Sequence, residues 1–83
     1  MLISGVIVVT QPEKTEHVLN ALQNYENVTT YGIHKDYYII AVLEGETPKE
    51  LETLTEDIST FVSGVLGVYP AYVNFEMENE DST

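Results

Sequence analysis

Residues 28–44, VTTYGIHKDYYIIAVLE, hold two runs rich in β-branched and aromatic residues with only Lys35-Asp36 between them. So short a connection suits an antiparallel hairpin and not a parallel pair, which needs a crossover of a dozen residues or more. The spacing predicts strands over Val28–His34 and Tyr37–Glu44, although the Asn-Gly pair most favoured in tight hairpins is missing. Towards the N-terminus, Leu2 to Thr10 (LISGVIVVT) reads as a strand that is apolar on both faces, the pattern of a central strand. Gln11-Pro12 closes it. From Pro12 to Asn24 the period changes to that of a helix, with Val18, Leu19 and Leu22 on one face and Thr10 and Glu13 spaced as a capping box.

The C-terminal half repeats the pattern. Thr47-Pro48-Lys49-Glu50 is a helix start: Thr47 caps, Pro48 takes the first helical position and Glu50 reaches back. Leu51, Leu54, Ile58, Phe61 and Val62 form its apolar stripe, and Ser63-Gly64 ends it. The last strand is expected from Val65 to Glu76. Pro70 cannot donate a ladder hydrogen bond, so this strand belongs at an edge or at a bulge. The order βαββαβ is that of an α+β, ferredoxin-like split βαβ fold. Its sheet has four antiparallel strands, the first and third central, with two helices on one face. Residues 1–76 are expected to be the single domain and 77–83 an acidic, flexible C-terminal tail.

Eighty-three residues leave no material for a second core. Three lysines stand against 14 acidic residues, the net charge is −11, and there is no arginine. Nucleic-acid binding and a membrane-surface helix both need cations, so neither is expected. Without cysteine, thiolate metal sites, iron–sulfur clusters and cysteine nucleophiles are excluded. His17 and His34 have no metal-ligand spacing and are read as surface residues, and no metal or other cofactor is expected. Gly64-Val65-Leu66-Gly67 is not followed at P-loop spacing by a lysine. Thr10-Gln11-Pro12-Glu13 lacks the arginine that an acylphosphatase-like reaction would use. No acid/base pair is identifiable, so the chain is expected not to be an enzyme. The N-terminus has no basic region and its apolar run is too short to span a bilayer, which predicts a cytoplasmic protein without direct membrane insertion.

With helices on one side of the sheet, the other side should be polar, yet both parities of strands one and three are apolar. Whichever set faces inward, an apolar patch remains outside. The set assigned outward is Ile3, Gly5, Ile7, Val9, Thr29, Tyr31, Ile33, Tyr37, Ile39, Ala41, Leu43, Gly67, Tyr69, Ala71, Val73 and Phe75. It contains three tyrosines, which combine apolar contact with a wet hydroxyl, and small residues that admit another backbone. A bulge near Gly67 or Pro70 would invert the last strand. Such a patch marks an interaction site, with a homodimer through the open sheet face as the alternative occupant. The acids Glu44, Glu46, Glu50, Glu52, Glu56 and Asp57 read either as a solvated helix face or as a docking field for a basic ligand.

Ile3-Ser4-Gly5-Val6-Ile7-Val8-Val9, Ala41-Val42-Leu43-Glu44 and Gly64-Val65-Leu66-Gly67-Val68 running into Ala71-Tyr72-Val73 resemble the NapD family, small cytoplasmic assembly chaperones of the periplasmic nitrate reductase. The resemblance spans about residues 2 to 76. It departs from the family at Tyr69-Pro70-Ala71-Tyr72-Val73-Asn74, which carries a proline and ends without histidine. It implies a ferredoxin-like domain that binds the twin-arginine signal peptide of the nitrate reductase catalytic subunit as a helix on the open sheet face. Export is then held back until the cofactor is inserted. The implied contacts are Ile7, Val9, Tyr37, Ile39 and Ala41 as floor, Tyr31 and Tyr69 as walls, and Ala71 and Val73 from the last strand, with nearby acids for the arginines. A ligand-sensing or dimerising regulatory domain of the same fold is the alternative.

Overall fold

In the computed structural model, which describes residues 1–71, β1 (Leu2–Thr10) leads through a 3-10 turn at Pro12–Lys14 into α1 (Thr15–Leu22). The chain continues through β2 (Val28–His34), β3 (Tyr38–Gly45), α2 (Pro48–Phe61) and β4 (Val65–Pro70). All strand pairings are antiparallel and the sheet order is β2-β3-β1-β4. The two most apolar strands, β1 and β3, are therefore central, as their composition demands. Val6, Val8, Val28, Ile39, Ala41 and Leu43 from the sheet pack with Val18 and Leu22 of α1, Ile58 of α2 and the adjoining Val62 in one core. Both helices thus lie on the same side of the sheet. Each fully buried Leu, Ile or Val in this layer contributes about 1.5–3 kcal/mol.

Helix α2 starts as its sequence requires. The Glu50 N–H donates to Thr47 Oγ1 at 3.1 Å, and Glu50 Oε1 accepts from the Glu46 N–H at 2.8 Å, one residue earlier than the cap itself. Leu51 and Leu54 pack against the core and Ile58 is buried in it, but Phe61, expected on the same stripe, is 75% exposed. The reason is the helix end: Val62 turns to an extended backbone and takes the buried place. Gly64 then adopts φ +98°, where a Cβ would lie 2.8 Å from Lys14 Cβ. Its carbonyl accepts the Gln11 N–H at 2.8 Å, so the β1–α1 and α2–β4 junctions are tied together at a position only glycine fits.

Helix α1 departs from expectation at its start. Thr10 does not cap it. Its buried hydroxyl lies 2.6 Å from Thr15 Oγ1 and reaches the Tyr37 carbonyl at 3.3 Å, while Gln11 occupies the cap position of the 3-10 turn and Lys14 that of α1, both without a side-chain bond. The two buried hydroxyls satisfy each other and bind β1 to the β2–β3 turn, which is what buried polar groups require. That turn puts Lys35 (φ 53°) and Asp36 (φ 70°) in the left-handed region, matching the strand twist without a glycine. Tyr37 belongs to the turn, so β3 begins at Tyr38.

Strand β4 lies at an edge, as Pro70 requires. Its register with β1 shifts between Val9 and Thr10, which pair with Gly67 and Val65, so Leu66 is the extra residue of a bulge. The strand ends at Pro70; the expected continuation through 76 and the expected 77–83 tail lie outside the described residues. Among the described residues no helix is long and apolar enough to cross a membrane.

Candidate functional site

Directly opposed residues of paired strands point to the same face, so the register sorts the side chains. Val8 pairs with Ile39 and Val6 with Ala41, under the helices; Ile7 pairs with Ile40, Gly5 with Val42, Val9 with Tyr38 and Ile3 with Glu44, on the other side. The face expected to be open therefore takes Ile3, Gly5, Ile7 and Val9 from β1, as assigned from sequence, but the opposite parity of β3. Ile39, Ala41 and Leu43 are fully buried in the helix-side core and cannot be its floor. Tyr38, Ile40, Val42 and Glu44 occupy those positions instead; Tyr38, Ile40 and Glu44 are half-buried, and Val42 is 8% exposed. The signal for this was in the sequence: Glu44 shares parity with Tyr38, Ile40 and Val42, and a strand that turned this set inward would bury an unpaired carboxylate.

The edge strands complete four rows across the face. On β4, Tyr69 opposes Ile7 and Gly67 opposes Val9. The Ala71 N–H continues the pairing by donating to Gly5 O at 2.9 Å. On β2, Thr29 opposes Val42 and His34 opposes Tyr38. Between Thr30 and Ile33 the register slips by one residue, so Tyr31 and Gly32 share Ile40 as partner, and Gly32, at φ +116°, absorbs the bulge. The slip turns Ile33 to the helix side, opposite buried Ile39, against the outward position expected for it.

One row consequently reads Tyr31, Ile40, Ile7, Tyr69 from edge to edge. The two isoleucines are half-buried, and the tyrosines at the ends are 66% and 55% exposed. Gly67 is what shapes the Tyr69 end: a Cβ there would meet the Tyr69 ring, so the ring leans along its own strand over the glycine. Three inter-strand spacings separate β2 from β4, about 14 Å, and an α-helix with its side chains is about 10–12 Å across. The row is a trough of helix width.

Tyr37 stands beside the trough, not in it. Its ring packs edge-on against Tyr38, with centroids 4.9 Å apart, and its carbonyl is held by the Thr10 N–H at 3.0 Å. Ala71 lines a shallow recess with Ile3, Ser4, Gly5 and Pro70, and Val73 lies outside the described residues. The charge is distributed differently from the rim that the sequence suggested. Glu50, Glu52, Glu56 and Asp57 are on α2 in the opposite layer, and among the described strand residues Glu44 is the only acid. His17 and His34 are exposed. Among the described residues no group of three or more His, Asp and Glu is placed to hold a metal ion.

An open-faced, ferredoxin-like α+β domain with an apolar trough is thus what the sequence and geometry define. The sequence model of the NapD protein family matches residues 1–77, and the chain belongs to that family. Its fold is also that of the E. coli Tat proofreading chaperone protein NapD in solution: the TM-score is 0.76 at 20% sequence identity, covering 99% of this chain and 86% of the other. No curated protein matches the chain.

Proposed function

We propose that this protein is a cytoplasmic, non-enzymatic chaperone that binds the twin-arginine signal peptide of the periplasmic nitrate reductase catalytic subunit and delays export until the cofactor is inserted. The family assignment supports the peptide class, since the solved NapD structure is that of a Tat proofreading chaperone. The observation that carries the reading is the row Tyr31, Ile40, Ile7, Tyr69. An apolar helix laid along β1 and β3 covers the two isoleucines, and the tyrosines bracket it with their hydroxyls still wet. The contacts are Ile7, Val9, Tyr38 and Ile40 as floor, Tyr31 and Tyr69 as walls, and Ala71 at one end. The net charge of −11 steers a basic peptide inward.

Calorimetry with a synthetic twin-arginine signal peptide tests it. Wild type is expected to bind with one-to-one stoichiometry, and Ile7→Asp, which puts a carboxylate on the floor outside the helix-side core, to bind too weakly to detect while keeping its circular dichroism. Undiminished affinity in Ile7→Asp would overturn the reading, as would a sheet-to-sheet dimer that persists at micromolar concentration in sedimentation and excludes the peptide.

A further inference from the structure

The open face has two unlike ends. At the β1 N-terminal end Ile3 pairs with Glu44, and Ile3, Tyr31, Val42 and Glu44 line a recess of about 270 Å³. At the other end the row is His34, Tyr38, Val9, Gly67, with no carboxylate, and the adjoining turn carries Lys35 and Asp36, whose charges oppose each other. Glu44 is held by its backbone: its N–H donates to Asn27 O at 2.9 Å, and its carbonyl accepts from Asn27 Nδ2 at 3.3 Å. Its carboxylate forms no ion pair among the described residues, and the nearby Lys49 pairs with Glu52 at 3.7 Å. Glu44 is thus the half-buried acid of an otherwise apolar recess beside an exposed tyrosine ring, and it also borders a second, polar recess with Asn27, Lys49, Glu50 and Asp57.

We infer that Glu44 receives a guanidinium of the bound peptide, stacked against Tyr31, and thereby sets the direction in which the peptide lies. This rests on the peptide-binding reading above. Guanidinium is the cation that fits, because it bonds a carboxylate through a planar fork and spreads its charge over an aromatic face. From the Glu44 row to the Val9 row is three steps of two residues, about 20 Å along the strands, the length of a helix of about 13 residues. An export signal places its basic residues ahead of an apolar stretch of about 7–15 residues. With the arginines at Glu44, that stretch runs over Val42 and Gly5, then Ile40 and Ile7, to end over Tyr38 and Val9.

The probe is a synthetic peptide of Arg-Arg followed by about twelve leucines and alanines, with a nitroxide at its N-terminus. In amide spectra of the labelled protein, the nitroxide is expected to broaden Leu2, Ile3 and Glu44 and to spare His34 and Gly67. Glu44→Gln should weaken binding about tenfold. Replacing both arginines by glutamine should cost at least as much, with little further loss when the two changes are combined. Broadening at His34 and Gly67, or additive losses, overturns the assignment of Glu44 while leaving peptide binding standing. If wild type fails to bind the peptide at all, the reading beneath it falls instead.

Discussion

Ile39 and Ile40 are neighbours of identical chemistry on opposite faces of one central strand, so truncating each to alanine separates what the core does from what the trough does. Ile39 is fully buried among Val8, Ala41 and helix side chains, and removing three carbons there loses their transfer energy and leaves a cavity, about 3–4 kcal/mol together. Ile40 is half-buried on the face opposite the helices, where the surface can relax and the cost is about 1 kcal/mol. For an 83-residue chain total stability is about 4–12 kcal/mol, so Ile40→Ala stays folded at room temperature throughout that range and Ile39→Ala does so where the wild-type value exceeds about 5 kcal/mol. At about 4–8 °C per kcal/mol, Ile39→Ala is expected to melt about 12–30 °C below wild type and Ile40→Ala within about 8 °C of it. Peptide affinity should run the other way: calorimetry of the folded variants should give near-native affinity for Ile39→Ala and a loss of about tenfold for Ile40→Ala. Similar melting temperatures for the two, or an affinity loss confined to Ile39→Ala, would refute the strand parity on which the whole site depends.

Gly64→Ala combines a left-handed backbone with a 2.8 Å approach to Lys14 Cβ, and should cost about 2–3 kcal/mol in urea denaturation. Thr47→Ala removes the hydroxyl that accepts the Glu50 N–H and should lower stability by about 1 kcal/mol, a loss that Thr47→Ser is expected to restore. Thr10→Val removes the hydroxyl shared by Thr15 and the Tyr37 carbonyl; a loss of about 1–2 kcal/mol is expected, with faster hydrogen exchange in the β2–β3 turn.

The fold was legible because local signals and global order agree. Thr47-Pro48-Lys49-Glu50 starts a helix where the chain has one, Gly64 ends the turn that follows, and Pro70 does lie on an edge strand. The start of α1 was less legible, since Thr10 and Glu13 have capping-box spacing but Thr10 is drawn into the buried pair with Thr15. Phe61 has the spacing of a buried residue and is not one, because the helix stops at that turn and Val62 fills its place. The site was half legible. The outward set chosen for its tyrosines and small residues has the right parity in β1, but β1 and β3 are not joined by a hairpin, so no turn geometry transmits parity from one to the other. A one-residue slip exchanges faces, and with apolar residues on both sides of β3 the hydrophobic pattern cannot choose.

What chooses is charge. Among the described residues the strands carry a single acid, Glu44, and the cost of burying a carboxylate without a partner exceeds any difference between placing Ile39 or Ile40 inside. Glu44 therefore turns itself, Val42, Ile40 and Tyr38 away from the helices, and the pairing with β1 sets Ile3, Gly5, Ile7 and Val9 beside them. The bulges at Gly32 and Leu66 then adjust the edge strands so that a tyrosine from each falls on the central row. The remaining described acids sit in the helices and loops, where they give the opposite layer its charge without interrupting the apolar floor. That division explains how both sides of a central strand can be hydrophobic in a protein with net charge −11: one side is core, the other is the face we propose for the peptide, and the residue that tells them apart is the single acid of the described strands.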